Sequence, residues 1–246
     1  MKYVLIAVGA IFGLLVLQTL FLFFIGIFVN PNKIYPKFSR FYYFELNVGT
    51  FFGMLGAGII GKCIGREKVP EGPFVLVSNH VSNWDPIVTW WFFRKWHLAF
   101  ISKEKNFHRP AFGRIIRRCC FLSIDRADPR QSIQVMMQAA EYIKTEKVSI
   151  GIYPEGTRNK NYKEGLLPFH DAVFKIAKIA KVPVVVVSTE GTPQIGKNLF
   201  RRTTKIQLEV LGVIPAEEVQ ALRTVEIGDK IRSMLTEKLY STKETC

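Results

Sequence analysis

Cysteine is sparse in this chain. Cys63, Cys119, Cys120 and Cys246 are the only four, and none stands in a C-x-x-C pattern. Neighbours such as Cys119 and Cys120 are poor partners for a disulfide, so the thiols read as reduced, as in a domain facing the cytosol. A thiol nucleophile at either of the pair competes with the plainer reading that both are packed as small apolar groups. Histidine is as rare, and His97, His108 and His170 show no ligand spacing relative to His80, so no metal site is expected. Acidic residues number 20 against 34 Lys plus Arg, a net charge of +14. That excess calls for an anionic partner: nucleic acid, an acidic membrane surface or a phosphorylated substrate.

Charge is missing altogether from residues 3–29, about 40 Å of helix against a hydrocarbon core of about 30 Å. The run is too long for a signal-peptide core, and no small-residue cleavage site follows it. After a turn containing Pro31 and Pro36, residues 41–60 are again apolar, with Glu45 the one charge. Gly49, Gly53, Ala57, Gly61 and Gly65 recur every fourth residue, a ridge that would let a second helix approach closely. Folding back about Lys33 would set Gly9 and Gly13 opposite Ala57 and Gly53 in an antiparallel pair. Lys33, Lys37 and Arg40 at the turn oppose full translocation of both helices. Two arrangements fit: a hairpin in one leaflet, or one spanning helix with the second at the interface.

The length suits one α/β domain with an appendage. From residue 74 onward, apolar runs at 74–78, 98–102, 121–124, 148–153, 183–188 and 205–212 read as strands. Between them 87–95, 110–118, 129–145 and 171–180 read as helices, and a last amphipathic helix carries Ile227, Ile231, Met234, Leu235 and Leu239. In the third of these, Asp128-Pro129 supplies the cap and first position, and Ile133, Met136, Met137, Ala140 and Ile143 are expected on one buried face. The fold class is therefore α/β, a largely parallel or mixed sheet flanked by helices and preceded by a two-helix membrane anchor. Residues 1–65 are assigned to the anchor and 66–246 to the α/β domain.

Notable polar residues follow strands directly. The stretch NHVSNWDP (residues 79–86) leaves the first run, Lys103 the second, Asp125-Arg126 the third, and Pro154, Glu155, Gly156, Thr157 and Arg158 the fourth. Carboxyl ends of parallel strands share one sheet edge, where ligand sites of open α/β folds collect. Asp85-Pro86 reads plainly as a helix cap and first position. In a continuous helix His80 and Asp85 would point about 140° apart, but a loop that folds back lets them pair. The carboxylate would then fix the imidazole tautomer and free the other nitrogen to take a proton. Because Asn also caps helices, D85N is expected to leave thermal stability near wild type while removing activity. Arg126 and Arg158 could clamp a phosphate, Lys103 adding a point charge, against the alternative that each is a solvated cation. Glu155 could pair with an arginine or a substrate hydroxyl.

Two texts are decoys. Residues 56–61 (GAGIIG) match a dinucleotide fingerprint with no strand before them. Residues 191–197 (GTPQIGK) have phosphate-loop spacing, but Asn198 stands where Ser or Thr should bind magnesium and Pro193 removes an amide.

NHVSNWDP, FLSIDR (121–126), YPEGTR (153–158) and VPVVVV (182–187), in this order over residues 72–192, resemble the motifs of the glycerolipid acyltransferases. Among these the chain is most similar to the bacterial 1-acyl-sn-glycerol-3-phosphate acyltransferases, whose two-helix anchor the amino terminus also resembles. Cys119-Cys120 depart from the usual glycine, Ser123 from an aromatic, and Val186 from a second proline. The resemblance implies acyl transfer from acyl-CoA or acyl-carrier protein to the sn-2 hydroxyl of lysophosphatidic acid, with His80 and Asp85 as the catalytic dyad. It further implies acceptor binding by Lys103, Arg126, Glu155, Gly156, Thr157 and Arg158, and no cofactor. The expected partners are membrane lipids and the two substrates, not nucleic acid, at a cell membrane with the α/β domain facing the cytoplasm. Two other functions fit the charge and the helices: an anionic-lipid-binding protein without turnover, and a thioester hydrolase.

Overall fold

The computed structural model describes residues 2–125, 127–199 and 201–241; Arg126 and Cys246 lie outside them. The strands are β1 (Ile59–Ile64), β2 (Val75–Ser78), β3 (Ala99–Lys103), β4 (Leu122–Ile124), β5 (Ile150–Ile152), β6 (Val184–Glu190) and β7 (Thr204–Ile214). The helices are α1 (Lys2–Ile27), α2 (Arg40–Gly56), α3 (Asp85–Phe93), α4 (Phe112–Ile116), α5 (Pro129–Thr145), α6 (Lys175–Ala180), α7 (Ile195–Asn198), α8 (Ala216–Ala221) and α9 (Thr224–Tyr240). The strands make one mixed sheet in the order β1-β7-β6-β2-β5-β3-β4. β6, β2, β5, β3 and β4 are mutually parallel, whereas β7 is antiparallel to β6 and parallel to β1. Five carboxyl ends thus share one edge.

β2 lies between β5 and β6, and all its residues are buried. Val75 and Val77 join the apolar cluster of Ala139, Ile176 and Ile231 on one face; Phe74 and Leu76 join Leu46, Val88 and Ile115 on the other. A strand covered on both sides is apolar at every position rather than at alternate ones. Each such side chain contributes about 1.5–3 kcal/mol on burial.

On α5 the Asp128 carboxylate accepts from the amides of Arg130 and Gln131, the cap the sequence predicts. Its buried stripe differs from the predicted one. Met136, Ala140 and Ile143 face inward with Val135, Ala139 and Tyr142, while Ile133 and Met137 are exposed. At 100° per residue those two lie more than a quarter-turn from the stripe centred on Ala139.

The amino-terminal helices pack together in antiparallel sense, but not through facing glycines. A Cβ at Gly49 would lie 2.6 Å from Leu22 Cδ1 and one at Gly56 3.5 Å from Leu15 Cδ1, while one at Gly9, Gly13 or Gly53 would meet no atom of the facing helix within 4 Å among the described residues. Gln18 Nε2 donates to the buried Glu45 carboxylate at 3.1 Å. The fourth-residue ridge is divided among three structures, because Gly58 turns the chain at φ 62° and Gly61 belongs to β1. β1, assigned by sequence to the anchor, is hydrogen-bonded to β7. The helix pair is also tied to the sheet domain: Tyr43 Oη donates to the Arg94 carbonyl (2.8 Å), and Tyr142 Oη to that of Tyr35 (2.7 Å). Buried Arg117 donates to the carbonyl of Pro31 (2.6 Å) and to Glu104 (2.6 Å). Among the described residues no helix is long and apolar enough to cross a membrane. The pair nevertheless leaves Phe12, Leu17, Leu20, Phe24, Phe44 and Phe51 exposed.

Candidate active site

The chain leaves β2 at Ser78 and is fastened at once. Asn79 Nδ2 donates to the Thr189 carbonyl (3.0 Å) and Asn79 Oδ1 accepts from the Thr189 amide (2.8 Å), locking the exit of β2 to β6. The next five residues fold back. Asp85 Oδ2 accepts from the amides of Val81 and Ser82, both at 2.7 Å, and lies 2.9 Å from His80 Nδ1. Thr192 Oγ1 donates to the other oxygen, Oδ1. Asp85 is fully buried, whereas the His80 side chain keeps 16% of its surface. Asp85 is the first residue of α3 rather than its cap, since Trp84 holds the cap position and the carboxylate turns back to the loop. A buried carboxylate with four donors is held immobile. It fixes the proton on Nδ1, leaving Nε2, which has no partner among the described residues, as the proton acceptor.

The loop after β5 wraps the same histidine. Glu155 Oε1 accepts from the His80 amide (2.9 Å) and Oε2 from the Leu167 amide (3.0 Å), while the Asn159 amide donates to the His80 carbonyl (2.7 Å). Glu155, 3% exposed, therefore meets no arginine among the described residues and little solvent; both of its oxygens hold backbone. Gly156 closes the turn, its amide donating to the Tyr153 carbonyl at 3.0 Å with φ 69°, a conformation that favours glycine. Thr157 and Arg158 are exposed.

Tyr153 is a residue that sequence reasoning passed over. Its ring stacks on the His80 imidazole at 4.3 Å between centroids and 21° between planes, and it also parallels Phe100 at 5.5 Å and 2°. Phe100 lies opposite Gly151 in the sheet, and a Cβ there would meet Phe100 Cε1 at 2.3 Å. Burial, and secondarily the nearby Asp85 charge, push the Tyr153 phenol well above its usual range, so it stays protonated. The only hint in the sequence was an aromatic beside Pro154. Thr192 and Asn159 were also missed, Thr192 because it sits 107 residues from its partner inside the decoy phosphate loop.

Lys103 lies to one side. It ends β3, two strands from β2 and so about 10 Å from it. It is exposed at a cleft of about 620 Å³ with Lys105, Ile124, Asp125 and Gln131. Arg126 follows β4 but lies outside the described residues. The two cysteines are no rivals to His80: burial pushes the Cys119 thiol well above its usual value and that of Cys120 up to about 12. Cys120 adopts φ 60°, a left-handed backbone conformation that favours glycine.

A family model described as Acyltransferase matches residues 61–190, more than half of the chain. The 1-acyl-sn-glycerol-3-phosphate acyltransferase of Saccharomyces cerevisiae is 26% identical over 191 residues, covering 76% of this chain and 61% of the relative. The alpha form from Ovis aries is 31% identical over 170 residues, covering 68% and 58%. The chain thus spans about three fifths of the length of these relatives. The crystal structure of the 1-acyl-sn-glycerophosphate (LPA) acyltransferase PlsC from Thermotoga maritima shares the fold, with a TM-score of 0.59 at 22% identity over 93% of this chain and 95% of that one.

Proposed function

This chain belongs to the acyltransferase family, and from that premise we propose that it transfers an acyl group from a thioester, acyl-CoA or acyl-carrier protein, to the sn-2 hydroxyl of lysophosphatidic acid, giving phosphatidic acid. His80 Nε2 takes the hydroxyl proton as the oxygen attacks the thioester carbonyl. Collapse of the tetrahedral intermediate breaks the C–S bond, and the imidazolium returns the proton to the departing sulfur. Asp85 holds the ring and balances the imidazolium charge. Lys103, Arg126 and Arg158 hold the acceptor phosphate. Glu155, Gly156 and Thr157 shape the loop that presents the histidine. The exposed aromatic and leucine side chains of α1 and α2 rest in the lipid surface, with the α/β domain on its cytoplasmic side.

The observation that carries this reading is His80 at the sheet edge with Nδ1 engaged by a buried carboxylate and Nε2 without a partner among the described residues. The test is transfer from a radiolabelled acyl thioester to lysophosphatidic acid in mixed micelles. H80A should lose about 10²- to 10⁴-fold in kcat. Free fatty acid as the main product would replace transfer with hydrolysis, and lipid binding without turnover in the native protein would reject catalysis.

A further inference from the structure

The imidazole of His80 is fixed in its own plane by Asp85, but its face rests on something else. Tyr153 covers that face in a near-parallel stack, and Phe100 lies parallel to Tyr153 in turn. The column is seated on Gly151, the one residue type that leaves room for the Phe100 ring against the strand. The Tyr153 hydroxyl is closed to solvent and neighbours the Thr89 side chain, so it is the ring face that meets the imidazole.

The face of a phenol ring carries negative charge density and attracts a cation placed over it. As the base, His80 gains a proton and a positive charge on the way to the transition state, so the attraction grows as the proton arrives. Only an interaction that strengthens on the way to the transition state raises the rate. We infer that Tyr153 is a positioning residue whose ring face stabilises the imidazolium formed on His80. The inference rests on His80 being the base in the reaction proposed above.

A graded series separates this effect from packing. Phenylalanine at position 153 keeps the ring and removes the hydroxyl; mono-, di- and trifluorophenylalanine, incorporated at the same position, keep the shape while draining the ring face of charge. Y153F should stay within about threefold of the native kcat, and log kcat should then fall stepwise with fluorination. The full loss should reach about 2- to 30-fold, the span of a cation–π contact, with KM and melting temperature level. Y153L should fall in the same range.

A second readout needs no turnover: the NMR titration of His80. The charged groups hydrogen-bonded to His80 are Asp85, at the start of α3, and Glu155, in the loop after β5, and neither changes in the series. Losing the ring attraction disfavours imidazolium, so the midpoint should move down, by roughly 0.4 to 1.5 pH units. Equal rates and equal midpoints across the fluorinated series would overturn the inference and leave Tyr153 as packing alone. A Y153F rate as low as that of Y153L would overturn it by making the hydroxyl the active part. If H80A retained transfer activity, the parent reading would fail instead, whatever the series showed.

Discussion

The loop after β2 and the ends of β3 and β4 lie along the same sheet edge, yet they are built in opposite ways. His80 and Asp85 are held by at least seven hydrogen bonds from three directions: their own loop, the β5 loop and the β6 loop. Lys103, Lys105 and Arg158 are exposed and form no ion pair among the described residues. A proton must move over a fraction of an ångström between aligned atoms, which demands immobility. A phosphate needs only a field of the right sign, which flexible cations supply through solvent and adapt to the headgroup. In the proposed reaction, rigidity is concentrated where bonds would change and omitted where charge would suffice.

The largest expected blow to this contrast is D85N. It should cut kcat at least 100-fold by leaving the imidazolium unbalanced. The structure also replaces the expectation of unchanged stability, because the carboxylate does not cap α3 but accepts four donors in a buried site. An amide loses the charge and offers a donor on one side, so chemical denaturation should report a loss of about 1–3 kcal/mol.

E155Q comes next. One of the two amides, of His80 or Leu167, would face an NH₂ group instead of an oxygen, costing about 1–3 kcal/mol and loosening the histidine backbone. Stability and kcat should fall together, with KM for the acceptor little changed. Smallest is K103A, which should raise the acceptor KM by up to about fivefold at low salt, as an exposed charge contributes at most about 1 kcal/mol. The effect should shrink as ionic strength rises, leaving kcat and stability intact. A K103A defect larger than that of E155Q and insensitive to salt would erase the contrast.

Much of this arrangement was legible beforehand. The apolar runs were long enough and sufficiently β-branched to place β2 to β7, and each polar motif fell just after a strand. A parallel sheet then brings the motifs to one edge by geometry alone. β1 was hidden because its residues continue the apolar composition of α2, and only Gly58, at positive φ, marks the change. The α5 stripe was misread by including Ile133 and Met137, since apolar residues on the outer face cannot be told from core ones by composition. Glu155 read as a partner for an arginine or a substrate hydroxyl; its place in the site depends on Leu167, 12 residues away, and on His80, 75 away.

Sequence alone determined the alternating α/β architecture, the basic character, the apolar amino terminus and the His80–Asp85 spacing, because these reside in composition and in short-range periodicity. Tertiary structure decided that Thr192 meets Asp85, that Glu155 serves the backbone, and that Tyr153 lies under the imidazole on a ring seated against Gly151. Those contacts join strands distant in the chain but adjacent in the sheet, and no local pattern encodes which strand becomes the neighbour of which.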